Sequence, residues 1–545
     1  MNLTRRGFIG ASSGLLAALS LSACNGSDGR PGSSGAGNKG SKGTPAPASM
    51  TKVDAALVSG AIPTKLTASN PRTVSAAVPQ IPKARNLTQA LEVVRERTLR
   101  QAAWDKASAV DISTSYVAAS ADVIGVLVKA TTTKAGKETT ALTSLWYNAQ
   151  LSQTFSPSVL ISWPGWADFA KAVGKAASDA SLDKAKVLKA LQDTPAPYGT
   201  GPAIAFDTAG GVVVNFPPGA VKAEPTEVRV PKKTVTPLLS DFGVLAEGAS
   251  NHPSAFSGTP TTTLTWWKPG QNKPRPSGSP NLRPLPGDST GPVTTQSAAP
   301  SASASPSASP SPSAGASGPE HPSTAIGIDC VANKAVALTY DDGPGPETAT
   351  VLAALEKHKG AATFFEMGNS IDAYPKTTVL VAASGYEIGS HTVTHPDLAT
   401  LGSERLKQEI TGNSARIKKL IGRSPLLLRP PYGSHNEAAD EVASADGMAI
   451  VNWSVDTEDW KTKSTSATEQ KVFNDVKIYT EPIILMHDIH DFTVAAAGPI
   501  IEKLTAEGYK LVTVSEMTLN TGGFRTGHGY CRGTSLVQDG YLCKG

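Results

Sequence analysis

Two adjacent carboxylates, Asp341 and Asp342, stand between an apolar run and a Gly-Pro pair in residues 339–344. The apolar run at 335–338 predicts a buried strand, so the two carboxylates lie where that strand ends. Neighbouring residues of an extended chain point to opposite sides, but a turn lets both carboxylates reach one site in different surroundings. One of them could then hold a metal ion while the other accepts a proton. The alternative is a solvated Asp-Gly turn after a strand.

Two histidines, His391 and His395, are spaced four residues apart. On a helical turn, both imidazoles would face the same side and could hold one metal ion. A histidine pair alone is more often structural or exposed, but a carboxylate from Asp341 or Asp342 completes a set of two histidines and one carboxylate. Such a set is typical of catalytic zinc, which keeps a position open for water and brings the pKa of that water to about 7. The sequence therefore predicts a divalent metal ion, with Zn²⁺ favoured and cobalt and nickel as alternatives.

Residues 326–545 alternate between strand-like apolar runs and segments of helical periodicity. This alternation predicts a parallel α/β sheet or barrel, and the segment is long enough for one such domain. The strand candidates are 336–340, 362–365, 386–389, 426–429, 449–453, 483–486 and 510–514.

Polar residues that could act in catalysis or bind a metal ion follow five of these strand candidates. Sites in α/β folds are built outside the carboxyl ends of parallel strands, so residues at these positions are expected to meet. They are Asp341 and Asp342 after the first strand, His391 and His395 after the third, Arg429 and Tyr432 after the fourth, Asp456, Asp459 and Trp460 after the fifth, and His487 and Asp488 after the sixth.

Five short motifs in this order resemble those of polysaccharide deacetylases, the carbohydrate esterase family 4 or NodB-homology domain. Tyr340 replaces a commoner Phe and Thr392 a commoner Ser, and neither position is a ligand in the family. The resemblance covers the whole of 326–545 and implies a distorted (β/α)7-type barrel. The motifs are Thr-Tyr-Asp-Asp-Gly at 339–343, His-Thr-Val-Thr-His-Pro at 391–396, Arg-Pro-Pro-Tyr at 429–432, Asp-Thr-Glu-Asp-Trp at 456–460 and Leu-Met-His at 485–487.

The resemblance implies a role for each polar residue at the predicted site. Asp342, His391 and His395 would bind the metal ion. Asp341 would be the general base that activates water, and His487 the general acid that protonates the leaving amine. A base and an acid need separate surroundings to keep opposite protonation states at one pH.

The resemblance also implies supporting residues. Arg429 would position the base and Asp459 would orient the acid. The backbone N–H of Tyr432 would stabilise the oxyanion of the tetrahedral intermediate. Trp460 and Leu485 would shape a small apolar pocket for the acetyl methyl group.

The N-terminus has the features of an export signal. Arg5 and Arg6 precede an apolar run at 15–21, which predicts a signal peptide over 1–24 with a twin-arginine or a general secretory route. Residues 21–24 resemble a bacterial lipobox with Cys24 as the lipidated residue. The chain is therefore expected to be anchored by lipid on the outer face of the membrane, with residues 25–50 as a flexible tether.

Two segments separate the tether from the predicted catalytic domain. Residues 51–245 read as a smaller α+β domain, and residues 246–325 as a disordered linker rich in Ser, Pro and Ala. The segment 206–231 resembles the extracytoplasmic domain of some anti-sigma factors and Gram-positive deacetylases. This resemblance suggests a spacer, or a binding site for a wall polymer or a lysozyme-like protein.

Composition limits the remaining alternatives. A net charge of +4 over 545 residues, without a basic stripe, gives no support for nucleic-acid binding. Cys531 and Cys543 are the favoured disulfide because the loop between them is short, with Cys330 left over; a bond from Cys330 to either of them is the alternative.

These features together predict a metal-dependent deacetylase that acts on N-acetylated glycan outside the cell. The wall location favours peptidoglycan, at GlcNAc or MurNAc. Chitin oligosaccharides or acetylxylan are alternative substrates. An alternative of another class is a surface lipoprotein that only binds wall polymer or lysozyme.

Overall fold

The computed structural model describes residues 49–261, 319–330 and 332–533, all of which fall in one compact unit. The predicted signal peptide, Cys24, the tether, most of the predicted linker and Cys543 lie outside the described residues. Within the described ranges, no helix combines the length and apolar character needed to cross a membrane.

Residues 49–261 contain a six-stranded sheet and a three-stranded sheet, each with its strands in sequence order. Every pairing is antiparallel except that between the second and third strands, and the predicted α+β fold is confirmed. The strands are β1 (Lys65–Ala68), β2 (Thr73–Ala77), β3 (Ala109–Ala119), β4 (Val123–Lys134), β5 (Lys137–Asn148), β6 (Gln153–Phe155), β7 (Ala203–Phe206), β8 (Val212–Phe216) and β9 (Thr226–Val230). The helices are α1 (Arg85–Trp104), α2 (Trp166–Asp179), α3 (Lys184–Leu191), α4 (Lys232–Val235) and α5 (Asp241–Asn251).

The predicted domain end at residue 245 is wrong, because α5 continues to Asn251. Its second half consists of small residues that resemble a linker in composition. Small size, however, lets Ala246 and Ala249 pack closely in the core. The predicted linker also ends too late, because His321 is buried and its Nε2 donates to the carbonyl of Ile161 at 2.9 Å.

The second region is a parallel α/β sheet, as the sequence predicts. The strand order is β15-β16-β10-β11-β12-β13-β14-β18, with β17 beside β10, and every pairing is parallel. The strands are β10 (Ala335–Asp341), β11 (Ala362–Glu366), β12 (Glu387–Ser390), β13 (Leu427–Leu428), β14 (Ala449–Val451), β15 (Val455–Asp456), β16 (Ile483–His487), β17 (Lys510–Leu511) and β18 (Gly529–Tyr530). The helices are α6 (Thr348–Lys357), α7 (Gly368–Ala373), α8 (Pro375–Ala383), α9 (Ser403–Ile421), α10 (Glu437–Ala445), α11 (Asp459–Thr462), α12 (Thr465–Asp475), α13 (Asp491–Ala506) and α14 (Val514–Leu519).

The sheet curls like a distorted barrel. β14 and β15 lie towards opposite ends of the strand order, yet only residues 452–454 separate them in the chain. The sheet must therefore bend until its ends approach each other. The predicted fifth strand, 449–453, corresponds to β14 alone, and the predicted seventh strand, 510–514, is shorter than expected. It ends at Leu511 because Thr513 caps α14 in a capping box with Glu516.

Helix α1 packs against the barrel at the amino ends of its strands, opposite the strand ends that carry the polar motifs. Arg100 Nη1 donates to the carbonyl of Gly385, just before β12, at 2.7 Å. Arg85 Nη2 donates to the carbonyl of Leu426, just before β13, at 3.2 Å. One hydrophobic core contains Leu91 of α1 together with residues of the barrel. The two regions therefore pack against each other through a shared core and are not connected by a linker alone.

Candidate active site

The polar residues predicted to meet do meet, at the carboxyl edge of the parallel sheet. Asp341 is the last residue of β10 and pairs in register with His487, the last residue of β16. Asp342 follows with a φ of 70°, a left-handed conformation that turns its side chain away from the strand direction. His391 follows the end of β12 directly. Strands β16, β10 and β12 therefore supply the centre of the site, and β11 lies between β10 and β12 in the sheet.

Asp342, His391 and His395 form a group whose ligand atoms all lie within 4.8 Å of one another. Asp342 Oδ1 is 3.5 Å from His391 Nε2 and 3.4 Å from His395 Nε2. This oxygen is buried and has no hydrogen-bond partner among the described residues. A buried carboxylate oxygen without a partner, facing two imidazole nitrogens, is the donor set that a divalent cation such as zinc takes.

The two imidazoles are held in the form that binds a cation. Nδ1 of His391 donates to the carbonyl of Arg429 at 2.7 Å, which leaves the Nε2 lone pair directed at Asp342. Burial, and then the charge of His391, lower the pKa of His395 below its ordinary value. His395 is therefore neutral at neutral pH. The three residues fit the predicted metal ion.

The prediction that His391 and His395 share a helical turn is wrong. Residues 391–396 form a loop without helical structure, in which Thr392 has a φ of 64° and His395 a φ of 61°. Two left-handed residues without glycine are uncommon so close together and cost roughly 1–3 kcal/mol each. The loop reverses the chain so that both Nε2 atoms reach Asp342, and the surrounding contacts must stabilise it.

Arg429 holds Asp341 from behind the site. The guanidinium is fully buried, and its Nη1 donates to Asp341 Oδ1 and to Thr339 Oγ1, each at 2.7 Å. Its other nitrogens donate to the carbonyls of Val451 and Asn452 at 3.0 and 3.1 Å. The carboxylate is thus fixed in place, and its second oxygen, Oδ2, lies 3.8 Å from Nε2 of His391.

His487 has a separate partner in Asp459. Its Nδ1 donates to Asp459 Oδ1 at 2.8 Å, while its backbone N–H and the Thr493 hydroxyl donate to Oδ2 at 2.9 and 2.7 Å. Burial opposes the charged imidazole, but the hydrogen bond and charge of Asp459, with the charges of Asp341 and Asp342, raise the pKa of His487 to about 9. Burial likewise opposes ionisation of Asp459, but its bonds with His487 and Thr493 keep its pKa below the ordinary value.

The three residues assigned to substrate lie at different depths. Leu485 is buried in β16, two residues before His487. Trp460 is 52% exposed and Tyr432 is 64% exposed, so both large rings border solvent beside the site. The Tyr432 hydroxyl is 3.2 Å from His395 Nδ1, and this residue has a φ of 61°. The substrate-binding roles of these three residues are predictions that rest on the family resemblance.

A family model described as polysaccharide deacetylase matches residues 329–451. The peptidoglycan-N-acetylmuramic acid deacetylase PdaC of Bacillus subtilis is 40% identical over 185 residues, which cover 34% of this chain and 38% of PdaC. A peptidoglycan-N-acetylglucosamine deacetylase of Bacillus cereus is 35% identical over 190 residues, which cover 34% of this chain and 88% of that protein. The chain belongs to the polysaccharide deacetylase family.

The match to the family model lies within the barrel. Among solved structures, a T48 deacetylase with substrate is 38% identical and is covered to 99%, but only 37% of this chain is matched and the TM-score is 0.35. The chain spans 38% of PdaC and 39% of the Listeria monocytogenes deacetylase PgdA. Residues 49–261, which pack on the barrel, fall outside the match to the family model.

Two buried carboxyl groups, Glu409 and Asp488, support this site in ways that the sequence did not predict. Glu409 in α9 accepts hydrogen bonds from the loop that carries His391 and His395. Its position on the apolar face of α9, next to Ile410, is a signal that could have found it, because a charged residue there must have a buried partner. Asp488 accepts a hydrogen bond from Thr348 and lies so near the Asp-Gly turn that a Cβ on Gly343 would be 2.5 Å from its Oδ1.

The structure gives the pairing state of two of the cysteines. Cys330 is a buried free thiol and Cys531 is in a disulfide. Cys543 lies outside the described residues, so its pairing with Cys531 stays a prediction.

Proposed function

We propose that this chain hydrolyses the N-acetyl groups of cell-wall glycan, at GlcNAc or MurNAc of peptidoglycan. The observation that carries the proposal is the pairing of Asp341 with His487 at the ends of adjacent strands, each with its own buried partner, beside the Asp342–His391–His395 group. The named activities of PdaC and the Bacillus cereus relative support the choice of peptidoglycan.

Asp341 is suited to act as the general base. Its Oδ1 is taken by Arg429, and its Oδ2 is directed towards the predicted metal site, 3.8 Å from His391 Nε2. A carboxylate fixed in this way can accept a proton from a water molecule placed between it and the substrate carbonyl. The buried guanidinium holds the base in place before the reaction begins.

His487 is suited to act as the general acid. A pKa of about 9 makes it an imidazolium at neutral pH, with Nδ1 committed to Asp459 and Nε2 available to donate. Asp341 and His487 thus hold opposite protonation states at the same pH, as acid–base catalysis of amide hydrolysis needs.

Asp342, His391 and His395 would hold a divalent cation, for which zinc fits best. When bound, such a cation supplies Lewis-acid chemistry: it polarises a carbonyl oxygen and lowers the pKa of water. The chain's own residues order the proton transfers around it.

The proposed hydrolysis needs no reactant other than water and the N-acetylated sugar. Water loses a proton to Asp341 and adds its oxygen to the acetyl carbon. His487 then gives its proton to the amide nitrogen as the C–N bond breaks. The products are acetate and a free amine on the sugar, and the exposed rings of Trp460 and Tyr432 would contact the glycan beside the bond.

The location outside the cell is part of the same proposal. It is supported by the signal-like residues 1–24 and by Cys24 in its lipobox-like context. Replacement of Cys24 by Ser should abolish incorporation of labelled fatty acid and release the protein from membranes. Retention of the label in Cys24→Ser would contradict lipid anchoring.

Acetate release from defined glycans tests the activity. The purified chain, with zinc, should release acetate from peptidoglycan, and Asp341→Asn should lower the rate about 10²–10⁴-fold, the usual contribution of a general base. Asp372→Asn, which alters an exposed carboxylate paired with Arg416, is the matched control. Release only from chitin oligomers or acetylxylan would keep the chemistry and reject peptidoglycan. No release from any of the three by the folded, zinc-loaded chain would favour the surface-binding alternative.

A further inference from the structure

The loop that carries the two ligand histidines is anchored by one buried carboxylate, Glu409. This side chain is 1% exposed and lies in the middle of α9. Its Oε2 accepts hydrogen bonds from the backbone N–H groups of Val393 and Thr394 at 2.9 and 2.8 Å. Its Oε1 accepts from the Thr394 hydroxyl at 2.7 Å. All three bonds go to the two residues midway between His391 and His395.

The loop needs such an anchor because its backbone is held in an unfavourable conformation. Thr392 and His395, on either side of the anchored residues, both have left-handed φ values. On the opposite side, the N–H groups of Gly368 and Asn369 donate to the carbonyls of Thr392 and Val393 at 2.9 and 3.0 Å. The carboxylate therefore accepts hydrogen bonds from N–H groups of a strained segment, whose carbonyl groups already accept hydrogen bonds from Gly368 and Asn369.

The charge of Glu409 is balanced at the surface. Nη2 of Arg405 lies 2.6 Å from Glu409 Oε1, and Arg405 is about half exposed. A buried carboxyl group that is bonded to two backbone N–H groups, a hydroxyl and a guanidinium is held in one position. Thr394 and Arg405 are also within reach of each other, at 3.3 Å between Oγ1 and Nη2.

We propose that Glu409 is a positioning residue for the metal site, which sets the distance of His395 Nε2 from Asp342 and thereby the affinity for the divalent cation. It touches neither substrate nor cation, and acts through the backbone of residues 393 and 394. The proposal adds a residue to the site of the proposed function, but its main test measures metal binding and does not depend on the reaction.

Calorimetric titration of the metal-free full chain with Zn²⁺ tests this. Glu409→Gln keeps the size of the side chain but places an amide NH₂ against N–H or O–H donors. We expect it to weaken zinc binding about 10–100-fold, the usual effect of losing a partner of a ligand residue. We also expect a changed visible spectrum after loading with Co²⁺, because the histidine geometry around the cation changes.

The matched control is Glu404→Gln, which makes the same charge change on the same helix, where Glu404 is exposed and accepts a hydrogen bond from Gln408 at 3.5 Å. Thr394→Val removes one of the three bonds and should fall between parent and Glu409→Gln. All titrations are made well below the unfolding temperature of each variant.

Parent-like zinc affinity and cobalt spectrum in folded Glu409→Gln would overturn the proposal, even if its melting temperature falls. Equal weakening by Glu404→Gln would also overturn it, because a general charge effect would then suffice. A parent chain that binds zinc in a Glu409-dependent manner but releases no acetate would reject the proposed function and leave this inference standing.

Discussion

Nη2 of Arg423 lies 3.0 Å from Oε1 of Glu96, although 327 positions separate the two residues in the chain. Nε of the same guanidinium is 3.2 Å from Glu92 Oε2, and all three side chains are 2% exposed. Arg423 follows α9 at the base of the barrel, whereas both glutamates belong to α1. The region outside the family match is therefore tied to the barrel by a buried ion network rather than resting on its surface.

Loss of Arg423 should destabilise the whole chain. Arg423→Met removes the guanidinium that pairs with buried Glu92 and Glu96 and leaves Arg95 close to both, and breaking one side of a buried ion pair costs about 3–5 kcal/mol. Arg416→Met, two turns earlier in α9 and paired with exposed Asp372, is the control and should cost less than about 1 kcal/mol. Denaturant unfolding of the full chain measures both. Equal unfolding free energies for the two variants would show that α1 contributes little to the barrel.

The loss of activity at high pH, the basic limb of the pH profile, should depend on Asp459. His487 donates only when protonated, so its pKa of about 9 predicts that kcat/KM falls as the pH rises through about 9. Asp459→Asn removes the charge that raises this pKa, and the fall should move towards the ordinary histidine value, near 6.5. The measurement is kcat/KM for acetate release between pH 5 and 10. An unshifted basic limb in Asp459→Asn would assign that limb to another group.

Much of the site could be predicted because its residues follow apolar runs closely. Asp341 and His487 end two strands whose apolar sequences predict burial. Parallel strands bring their carboxyl ends to the same edge of a sheet, so the two residues can be expected to meet even though their contact partners are not known from the sequence. The helical turn predicted for His391 and His395 failed because a four-residue spacing also suits a loop with two left-handed residues. That conformation depends on Glu409, which lies 14 residues beyond His395 and contacts the loop only after α9 has packed.

The contacts between helix α1 and the base of the barrel could not be predicted, for a different reason. Helix α1 carries Glu92, Arg95, Glu96 and Arg100, and a helix with that many charges has no sequence signature of burial. Its partners come from segments about 300 residues further on, such as Arg423. Nothing local distinguishes such a network from a solvated helix face.

Metal binding should stabilise the fold measurably. A ligand at 100 times its dissociation constant adds about 2.7 kcal/mol to the free energy of unfolding. Zinc should therefore raise the melting temperature of the full chain, and chelator should reverse the change. His395→Ala should abolish the shift, whereas His528→Ala, an exposed histidine whose Nδ1 is 3.0 Å from the Thr526 carbonyl, should retain it. A full shift in His395→Ala would place the stabilising cation elsewhere.

A buried carboxyl group in β11 should make stability depend on pH. Glu366 is fully buried; its Oε2 accepts from the Thr378 hydroxyl at 2.7 Å, and its Oε1 has no partner among the described residues. Burial raises its pKa to about 8, against an ordinary value of 4.5. Between these two pH values the folded chain binds a proton that the unfolded chain has lost, so the free energy of unfolding should fall as the pH rises from 4.5 to 8.

Glu366→Gln separates this contribution from the other groups that titrate. The amide keeps an acceptor for Thr378 but cannot ionise. The unfolding free energy of the variant should therefore fall less steeply with pH between pH 6 and 8 than that of the parent. The difference between the two slopes should be at most about 1.4 kcal/mol per pH unit. Some slope should remain, because burial also raises the pKa of Glu96 to about 8 and that of Asp488 to about 7. Denaturant unfolding in chelator at pH 6, 7 and 8 measures the slopes, with Glu404→Gln as the exposed control. If parent and Glu366→Gln have the same slope, Glu366 ionises inside the fold without cost, and another polar contact at Oε1 must compensate its charge.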